Sequence, residues 1–286
     1  MPALLALLSA AVWGVADFTG GLASRRSTPL RTLALTTPAG LVVVLPVALL
    51  VGGSVSGSVL PGVVSGVTGS LGILLLYAAL TLGPMGVVSP VSAVLGAAIP
   101  VLVGLVHGER PGAAAYVGMA LAVVAIVTVG LEPPAPTDDA RHQRLTPRAL
   151  LLAVGAGVGI GVFFAVIAQA PSDAGLWPVV FSRAVSTVLL ALMGLVVVAR
   201  RGGPFLPAGR TVRIQAIAAG TLDVGANALY LVATQTGLLS VVAVLGSLYP
   251  AATVLLARYV LAERLHPLQK VGMATAIVAG ALLALG

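Results

Sequence analysis

Long apolar runs dominate the chain, and short polar turns separate them. A bilayer core about 30 Å thick needs roughly twenty apolar helical residues for each crossing. By this criterion the sequence predicts ten transmembrane helices, at about 3–23, 32–52, 61–82, 85–107, 112–131, 149–169, 175–199, 212–233, 238–261 and 267–285. The predicted fold class is therefore an all-α membrane protein with ten transmembrane helices.

One polar segment divides the apolar runs into five and five. Residues 132–148 contain four prolines together with Asp138, Asp139 and Arg141. Such a composition, without apolar periodicity, is typical of a solvated linker. The predicted organisation is a first five-helix repeat over 1–131, the linker over 132–148 and a second five-helix repeat over 149–286.

The two halves share a sequence pattern at an offset of 154 residues. Val117-Gly118-Met119-Ala120 recurs as Val271-Gly272-Met273-Ala274, and Glu109-Arg110 recurs as Glu263-Arg264. An odd number of crossings in each repeat makes the second half enter the membrane from the opposite side. This predicts two inverted repeats, an arrangement of secondary transporters that bind substrate near the midplane between them.

Composition excludes several classes of protein. The chain is 59% hydrophobic and 8% charged, whereas a soluble domain carries about 25% charged residues. The absence of cysteine excludes disulfides, zinc–thiolate sites and thiol catalysis. The net charge of +7 comes mostly from arginines between apolar runs, where membrane proteins keep their loop charges, so no nucleic-acid partner is predicted.

No motif for nucleotide, metal or catalytic chemistry is present. The glycines at 155, 157, 159 and 161 lack the G-x-G-x-x-G spacing and lie within a predicted helix, where small residues let helices approach closely. Lys270 is the only lysine, and no phosphate-binding loop precedes it, so ATP-driven transport is excluded. The sequence predicts no enzyme, no cofactor and no metal site.

Two stretches carry a family resemblance. The first helix contains Ala11-Val12-Trp13-Gly14, and the second half ends with Tyr249-Pro250, Val260-Leu261-Ala262-Glu263-Arg264-Leu265, Pro267-Leu268-Gln269 and Gly272. This ending is similar to the "P…LGERL…Q…G" pattern of the ten-helix EamA-like members of the drug/metabolite transporter superfamily. The resemblance implies a membrane transporter and leaves its substrate open.

The first half departs from that pattern. Pro100 lies one helical turn later than the family places it, and Pro111 replaces the usual stretch. The family often has an arginine early in the second helix of each repeat. Arg183 fits that place in the second half, whereas the first half has Thr36 there.

Three charges lie deep inside predicted helices: Asp17, Arg183 and Asp223. A charge at the bilayer centre costs several kcal/mol unless it is paired or hydrated. For Arg183 two roles stay open, a permanent pair with one of the aspartates or the binding of an anionic substrate. Glu109 and the other charges at helix ends are expected to be solvated caps.

Helix eight carries a polar stripe. Asp223, Asn227, Tyr230 and Thr234 lie at i, i+4, i+7 and i+11, which places them on one face. Such a stripe faces the bundle interior or a water-filled cavity. The alternative role is a seam of hydrogen bonds between helices.

Helix one repeats the theme with Ser9, Trp13, Asp17 and Ser24 on one side. Trp13 lies about 15 Å into the predicted span by helical rise, which is too deep for an interfacial aromatic belt. We therefore expect Trp13 to contribute to the wall of a cavity.

The charge bias predicts an orientation that disagrees with the family resemblance. A single basic residue, Arg110, lies on one side. The opposite side carries Arg25, Arg26, Arg31, Arg141, Arg144, Arg148, Arg200, Arg201, Arg210, Arg213, Arg264 and Lys270. Basic loops favour the cytoplasm, which predicts that both termini are outside. The resemblance implies the reverse, so the side of the termini stays open.

Together these features predict a plasma-membrane secondary transporter that moves a small organic metabolite or drug-like compound by alternating access. The predicted partners are the lipid bilayer and a small-molecule substrate. The predicted substrate-binding residues are Trp13, Asp17, Tyr77, Arg183, Asp223, Asn227 and Tyr230. Asp17 and Asp223 are the proton-coupling candidates, because a carboxyl group removed from water can exchange protons near neutral pH. The alternative is a non-transporting membrane scaffold or an intramembrane enzyme.

Overall fold

The computed structural model describes residues 1–80, 82, 85–130, 146–260 and 267–285, and every regular element in these ranges is helical. The helices are α1 (Pro2–Arg25), α2 (Pro29–Val51), α3 (Val59–Leu80), α4 (Met85–Val106), α5 (Ala113–Gly130), α6 (Pro147–Ile167), α7 (Trp177–Arg201), α8 (Arg210–Thr236), α9 (Leu239–Gly246), α10 (Tyr249–Val260) and α11 (Pro267–Leu285). Most of the predicted linker, residues 132–145, lies outside the described residues, as do Glu263 and Arg264.

The helices of the described ranges have the length and composition of membrane spans. Seven of them are long and apolar enough to cross a bilayer, and three shorter apolar segments lie at Val91–Val106, Ala113–Val129 and Leu239–Thr253. Their outer surfaces expose large apolar side chains that water would not tolerate, such as Leu50 at 87% and Val106 at 84%. The chain is a multi-pass α-helical membrane protein.

Capping residues explain why two helices begin earlier than hydropathy predicts. The hydroxyl of Thr28 accepts a hydrogen bond from the N–H of Arg31, and the hydroxyl of Thr146 accepts one from Ala149. In each case a proline follows the cap, at the first helical position, where its missing N–H costs nothing. The helices therefore begin in the polar turn, before the apolar run.

The prediction of one continuous helix over 238–261 is wrong, because α9 ends at Gly246 and α10 begins at Tyr249. Pro250 cannot donate a backbone hydrogen bond to the carbonyl of Gly246, and glycine itself has a low helix propensity. Proline alone is not sufficient, since α4 continues through Pro100. The glycine and the proline together interrupt the helix.

The helices form two bundles that mix the two halves of the sequence. The first bundle consists of α1, α2, α8, α9 and α10, and the second bundle consists of α3, α4, α6 and α7. The most extensive contacts between the bundles are those of α2 with α7 and of α4 with α9. Helices α5 and α11 pack against each other. Any contact between α4 and α9, or between α7 and α8, therefore joins the two bundles.

Glycines set the closest helix contacts. On α6, Gly157 and Gly161 pack against Leu95 of α4, whereas Gly159 packs against Gly72 of α3. The glycine run thus serves two interfaces, as expected for small residues in a membrane bundle.

The last helices of the two halves run antiparallel. Gly118 of α5 packs beside Ala279 of α11, whereas Gly272 of α11 packs beside Val129 of α5. The partner position decreases along one helix as the position increases along the other. Gly118 and Gly272 are also the residues that correspond at the repeat offset of 154.

Two glycines of α8 provide a matched test of this packing. Gly220 lies so close to the backbone of Thr36 that an added Cβ would overlap it, whereas nothing lies within 4 Å of a Cβ at Gly225. We expect Gly220→Ala to destabilise the protein by about 1–3 kcal/mol through overpacking. Gly225→Ala should be neutral, or stabilising by up to about 1 kcal/mol through helix propensity. Thermal unfolding in detergent measures both, and equal effects would contradict the described α2–α8 contact.

The helix ends define two faces of the molecule. The basic face carries the turns after α1 and α7 and the start of α8, with Arg26, Arg31, Arg201 and Arg210. The opposite face carries the turns after α2, α4, α6 and α8, and we call it the Glu109 face.

Candidate functional site

An ion pair joins the two bundles inside the membrane-spanning region. The Nη2 atom of Arg183 on α7 lies 2.5 Å from Oδ2 of Asp223 on α8. The side chains are 12% and 27% exposed. Of the two roles that the sequence left open for Arg183, the structure shows the pair with an aspartate. A paired charge has a much lower cost at this depth than an isolated one.

Asp17 is the unpaired charge of the site. Its side chain is exposed, and it has no ion-pair or hydrogen-bond partner among the described residues. It lies close enough to Asp223 for the two charges to interact. With both carboxylates ionised, Asp17, Arg183 and Asp223 carry a net charge of −1.

Two further polar groups of the site differ in how they are satisfied. The Asn227 side chain donates its Nδ2 hydrogen to the backbone oxygen of Asp223 at 2.7 Å, so it is engaged with its own helix. The Nε of Arg183 is buried and has no hydrogen-bond partner in the described structure. Since a guanidinium can donate five hydrogen bonds, the pair with Asp223 leaves donor capacity unused.

An aromatic cluster lies beside the charges, on the side of the Glu109 face. The ring of Trp13 on α1 lies 5.2 Å from that of Phe164 on α6 and 5.6 Å from that of Tyr230 on α8, measured between centroids. The Phe164 and Tyr230 rings are 4.9 Å apart, and the Tyr230 hydroxyl donates to the Phe164 carbonyl oxygen at 3.4 Å. Trp13 is 6% exposed and Tyr230 is 1% exposed, so these rings are packed against each other.

Close contacts between α1, α8 and α9 hold the aromatic cluster in place. The hydroxyl of Ser9 on α1 donates to the carbonyl oxygen of Ala226 on α8 at 2.7 Å. Gly246, the last residue of α9, lies against the rings of Trp13 and Tyr230. The interruption between α9 and α10 therefore lies directly beside the aromatic cluster.

The structure brings six of the seven predicted site residues to one region: Trp13, Asp17, Arg183, Asp223, Asn227 and Tyr230. The seventh, Tyr77, lies on α3, and its side chain is outside the described residues. Sequence reasoning missed Phe164, because a phenylalanine in an apolar run gives no signal of its own. Among the described residues no group of three or more His, Cys, Asp or Glu side chains is placed to hold a metal ion.

Comparison with known proteins identifies the family to which the chain belongs. The sequence profile of the EamA-like transporter family matches residues 1–131 and 147–285, which is nearly the whole chain. The chain belongs to the EamA-like transporter family. The resemblance read from Trp13 and the end of the second half is thereby confirmed.

Solved structures support the same fold for this EamA-like chain. One crystal structure superimposes with a TM-score of 0.69 at 21% sequence identity, covering 99% of this chain and 95% of the other. At that identity the likeness concerns the fold alone. No curated protein matches the sequence. Family membership therefore makes the chain a transporter-family membrane protein that handles small solutes, and the substrate has to be argued from the site.

Proposed function

We propose that the chain is a secondary transporter that works by alternating access and is built from two inverted five-helix repeats, over 1–131 and 149–286. The antiparallel packing of α5 and α11 is the observation that supports the inversion. These helices correspond at the repeat offset, and corresponding helices run antiparallel only when one repeat is inverted. With α9 and α10 counted as one interrupted span, the repeats make ten crossings of the plasma membrane.

The proposed substrate site lies between the two bundles, at the Arg183–Asp223 pair. Exposure differs between neighbouring residues of the site. On α1, Trp13 is buried and Asp17, one turn nearer the basic face, is exposed. On α8, Tyr230 is buried and Asp223, nearer the basic face, is partly exposed. We infer that this conformation admits substrate from the basic face and is closed by the aromatic cluster on the other side.

The charges favour a substrate that carries a cationic group. The expectation that Arg183 binds an anion is not favoured, because its Nη2 already pairs with Asp223. Asp17 is left with an uncompensated negative charge, which a substrate ammonium would neutralise. The rings of Trp13 and Tyr230 lie nearby and are suited to the apolar body of such a compound or to cation–π contact.

For proton coupling we propose Asp17 over Asp223. Asp223 is engaged in the ion pair with Arg183, whereas the Asp17 carboxyl group has no such partner in the described structure. A proton and a cationic substrate would then compete for one group. This competition couples their movements without any further residue.

The charge preference is tested with two permanently charged phenyl compounds, phenyltrimethylammonium and benzenesulfonate. At 100 times its dissociation constant a ligand stabilises the folded state by about 2.7 kcal/mol, which a thermal-shift measurement detects. We expect the purified protein to be stabilised by the ammonium compound and not by the sulfonate. Stabilisation by the sulfonate alone would contradict the proposed charge preference and return Arg183 to the role of anion ligand.

A further inference from the structure

Glu109 joins the two bundles through the N-terminus of α9. It lies in the turn between α4 and α5, where its Oε1 accepts a hydrogen bond from the N–H of Leu239 at 2.6 Å. Its Oε2 accepts one from the N–H of Ser240 at 2.9 Å. These amides belong to the first turn of α9, which has no intrahelical acceptors for them and carries partial positive charge. The expectation of a solvated cap is therefore wrong, since Glu109 caps a helix of the other half.

The turn that carries Glu109 is built to hold the carboxylate in this position. The backbone N–H of Glu109 donates to the carbonyl oxygen of Gly104 at 3.0 Å, which folds the chain back on the end of α4. The carboxylate lies where the Cβ of any residue other than glycine at position 104 would be. Glu109 is half-buried, so one side of the carboxylate remains within reach of water.

The contact controls an element that closes the proposed site. The amides of Leu239 and Ser240 begin α9, and seven residues after Leu239 the same short helix places Gly246 against the rings of Trp13 and Tyr230. Since α4 belongs to the second bundle and α9 to the first, the bundles cannot separate on the Glu109 face without breaking these two hydrogen bonds.

The bundles also meet at the same face next to Ser54, where Gly53 lies against Ala174. The N–H of Ser54, after α2, donates to the backbone oxygen of Asp173, before α7, at 2.8 Å. This bond involves no charge. A carboxylate with two amide donors forms the stronger connection, because hydrogen bonds to an ionised group are roughly twice as strong as neutral ones.

We propose that Glu109 is a gating residue: its carboxylate holds the Glu109 face closed by capping α9, and the contact breaks each time that face opens. The proposal rests on the alternating-access mechanism proposed above. The carboxylate is suited to reversible contact because water at the face can replace the two amides once α9 moves away. Water cannot replace the close backbone packing at the glycine interfaces within each bundle, so these interfaces stay closed.

Distances between spin labels test the proposal directly. The chain has no cysteine, so labels attach only at introduced sites. Val106→Cys on α4 with Thr236→Cys on α8 reports on the Glu109 face, since both positions are exposed and belong to different bundles. Arg148→Cys on α6 with Arg210→Cys on α8 reports on the basic face in the same way. Pulsed electron–electron double resonance in lipid nanodiscs gives the distribution of each distance between the two labels.

Glu109→Gln, Glu109→Ala and Gly104→Ala are compared with the matched control Arg110→Gln, which changes the neighbouring exposed charge. We expect the ratio of long to short distances at the Glu109 face to rise about tenfold in Glu109→Ala and Gly104→Ala. Glu109→Gln should give a smaller rise, because its amide oxygen still accepts one of the two hydrogen bonds. Arg110→Gln should match the parent, and thermal unfolding identifies any variant that has lost its fold.

Two other outcomes overturn the proposal in distinguishable ways. If the parent shows two populations on both faces and the Glu109 variants leave them unchanged, Glu109 does not gate and alternating access stands. If parent and variants keep a single distance distribution on both faces at every concentration of phenyltrimethylammonium, the bundles do not move, and both the gate and the transport mechanism are wrong.

Discussion

An Asp223→Asn variant is expected to unfold several degrees below the parent protein, because the substitution leaves the Arg183 guanidinium buried without its counter-charge. Removing one member of a buried ion pair costs about 3–5 kcal/mol. Asp223 is 27% exposed, so water compensates part of the loss, and we expect the lower end of that range. Thermal unfolding followed by the fluorescence of the two tryptophans measures the effect.

The matched control removes both charges. In the double variant Arg183→Met with Asp223→Leu neither member of the pair is left without its counter-charge, and an apolar pair of similar size is often as stable as the ion pair it replaces. We expect the double variant to recover most of the stability lost in Asp223→Asn. A double variant that is as unstable as the single one would show that Asp223 stabilises the fold by some interaction other than its pair with Arg183.

The same chemical change at Asp17 is expected to act on binding and not on stability. Asp17 has no partner in the described structure, so Asp17→Asn should leave the unfolding temperature unchanged or raise it. It should weaken stabilisation by phenyltrimethylammonium at least about tenfold, since a contact between unit charges in a partly hydrated site exceeds 1.4 kcal/mol. Thermal shifts across a concentration series measure both quantities.

Asp17→Glu serves as the control for this prediction, because it keeps the charge and changes only its reach. We expect it to retain most of the stabilisation by the ammonium compound. If Asp17→Asn is stabilised as strongly as the parent, Asp17 does not bind the cationic group, and its exposure on α1 has another cause. Opposite outcomes at Asp17 and Asp223 would establish that the two aspartates of the site have different roles.

Much of the architecture follows from hydropathy because the bilayer imposes one length on every span. The predicted ranges 85–107 and 267–285 agree with α4 and α11 to within a residue. Hydropathy does not indicate the interruption between α9 and α10, since apolar residues continue on both sides of Gly246 and Pro250. Periodicity likewise brought Asp223, Asn227 and Tyr230 onto one face, because side-chain direction along a helix is fixed by geometry.

The sequence does not show which side chains of different helices contact each other. A spacing argument places Arg183 and Asp223 at suitable depths but cannot tell which aspartate the guanidinium meets, because that depends on how α7 and α8 pack. The same holds for Glu109, which is close in sequence to polar turn residues and accepts hydrogen bonds from the amides of Leu239 and Ser240, 130 and 131 residues away. Phe164 belongs to the aromatic cluster because the folded bundle brings its ring against those of Trp13 and Tyr230.

Transport of small organic cations by this EamA-like chain is tested by uptake of radiolabelled phenyltrimethylammonium into proteoliposomes. The compound is permanently charged and crosses lipid poorly by itself. We predict saturable uptake that is driven by an outward proton gradient from an acidic lumen and is lost in Asp17→Asn. A protein that binds the compound in solution but takes up no more than empty liposomes would contradict the claim and make the site a binding site without transport.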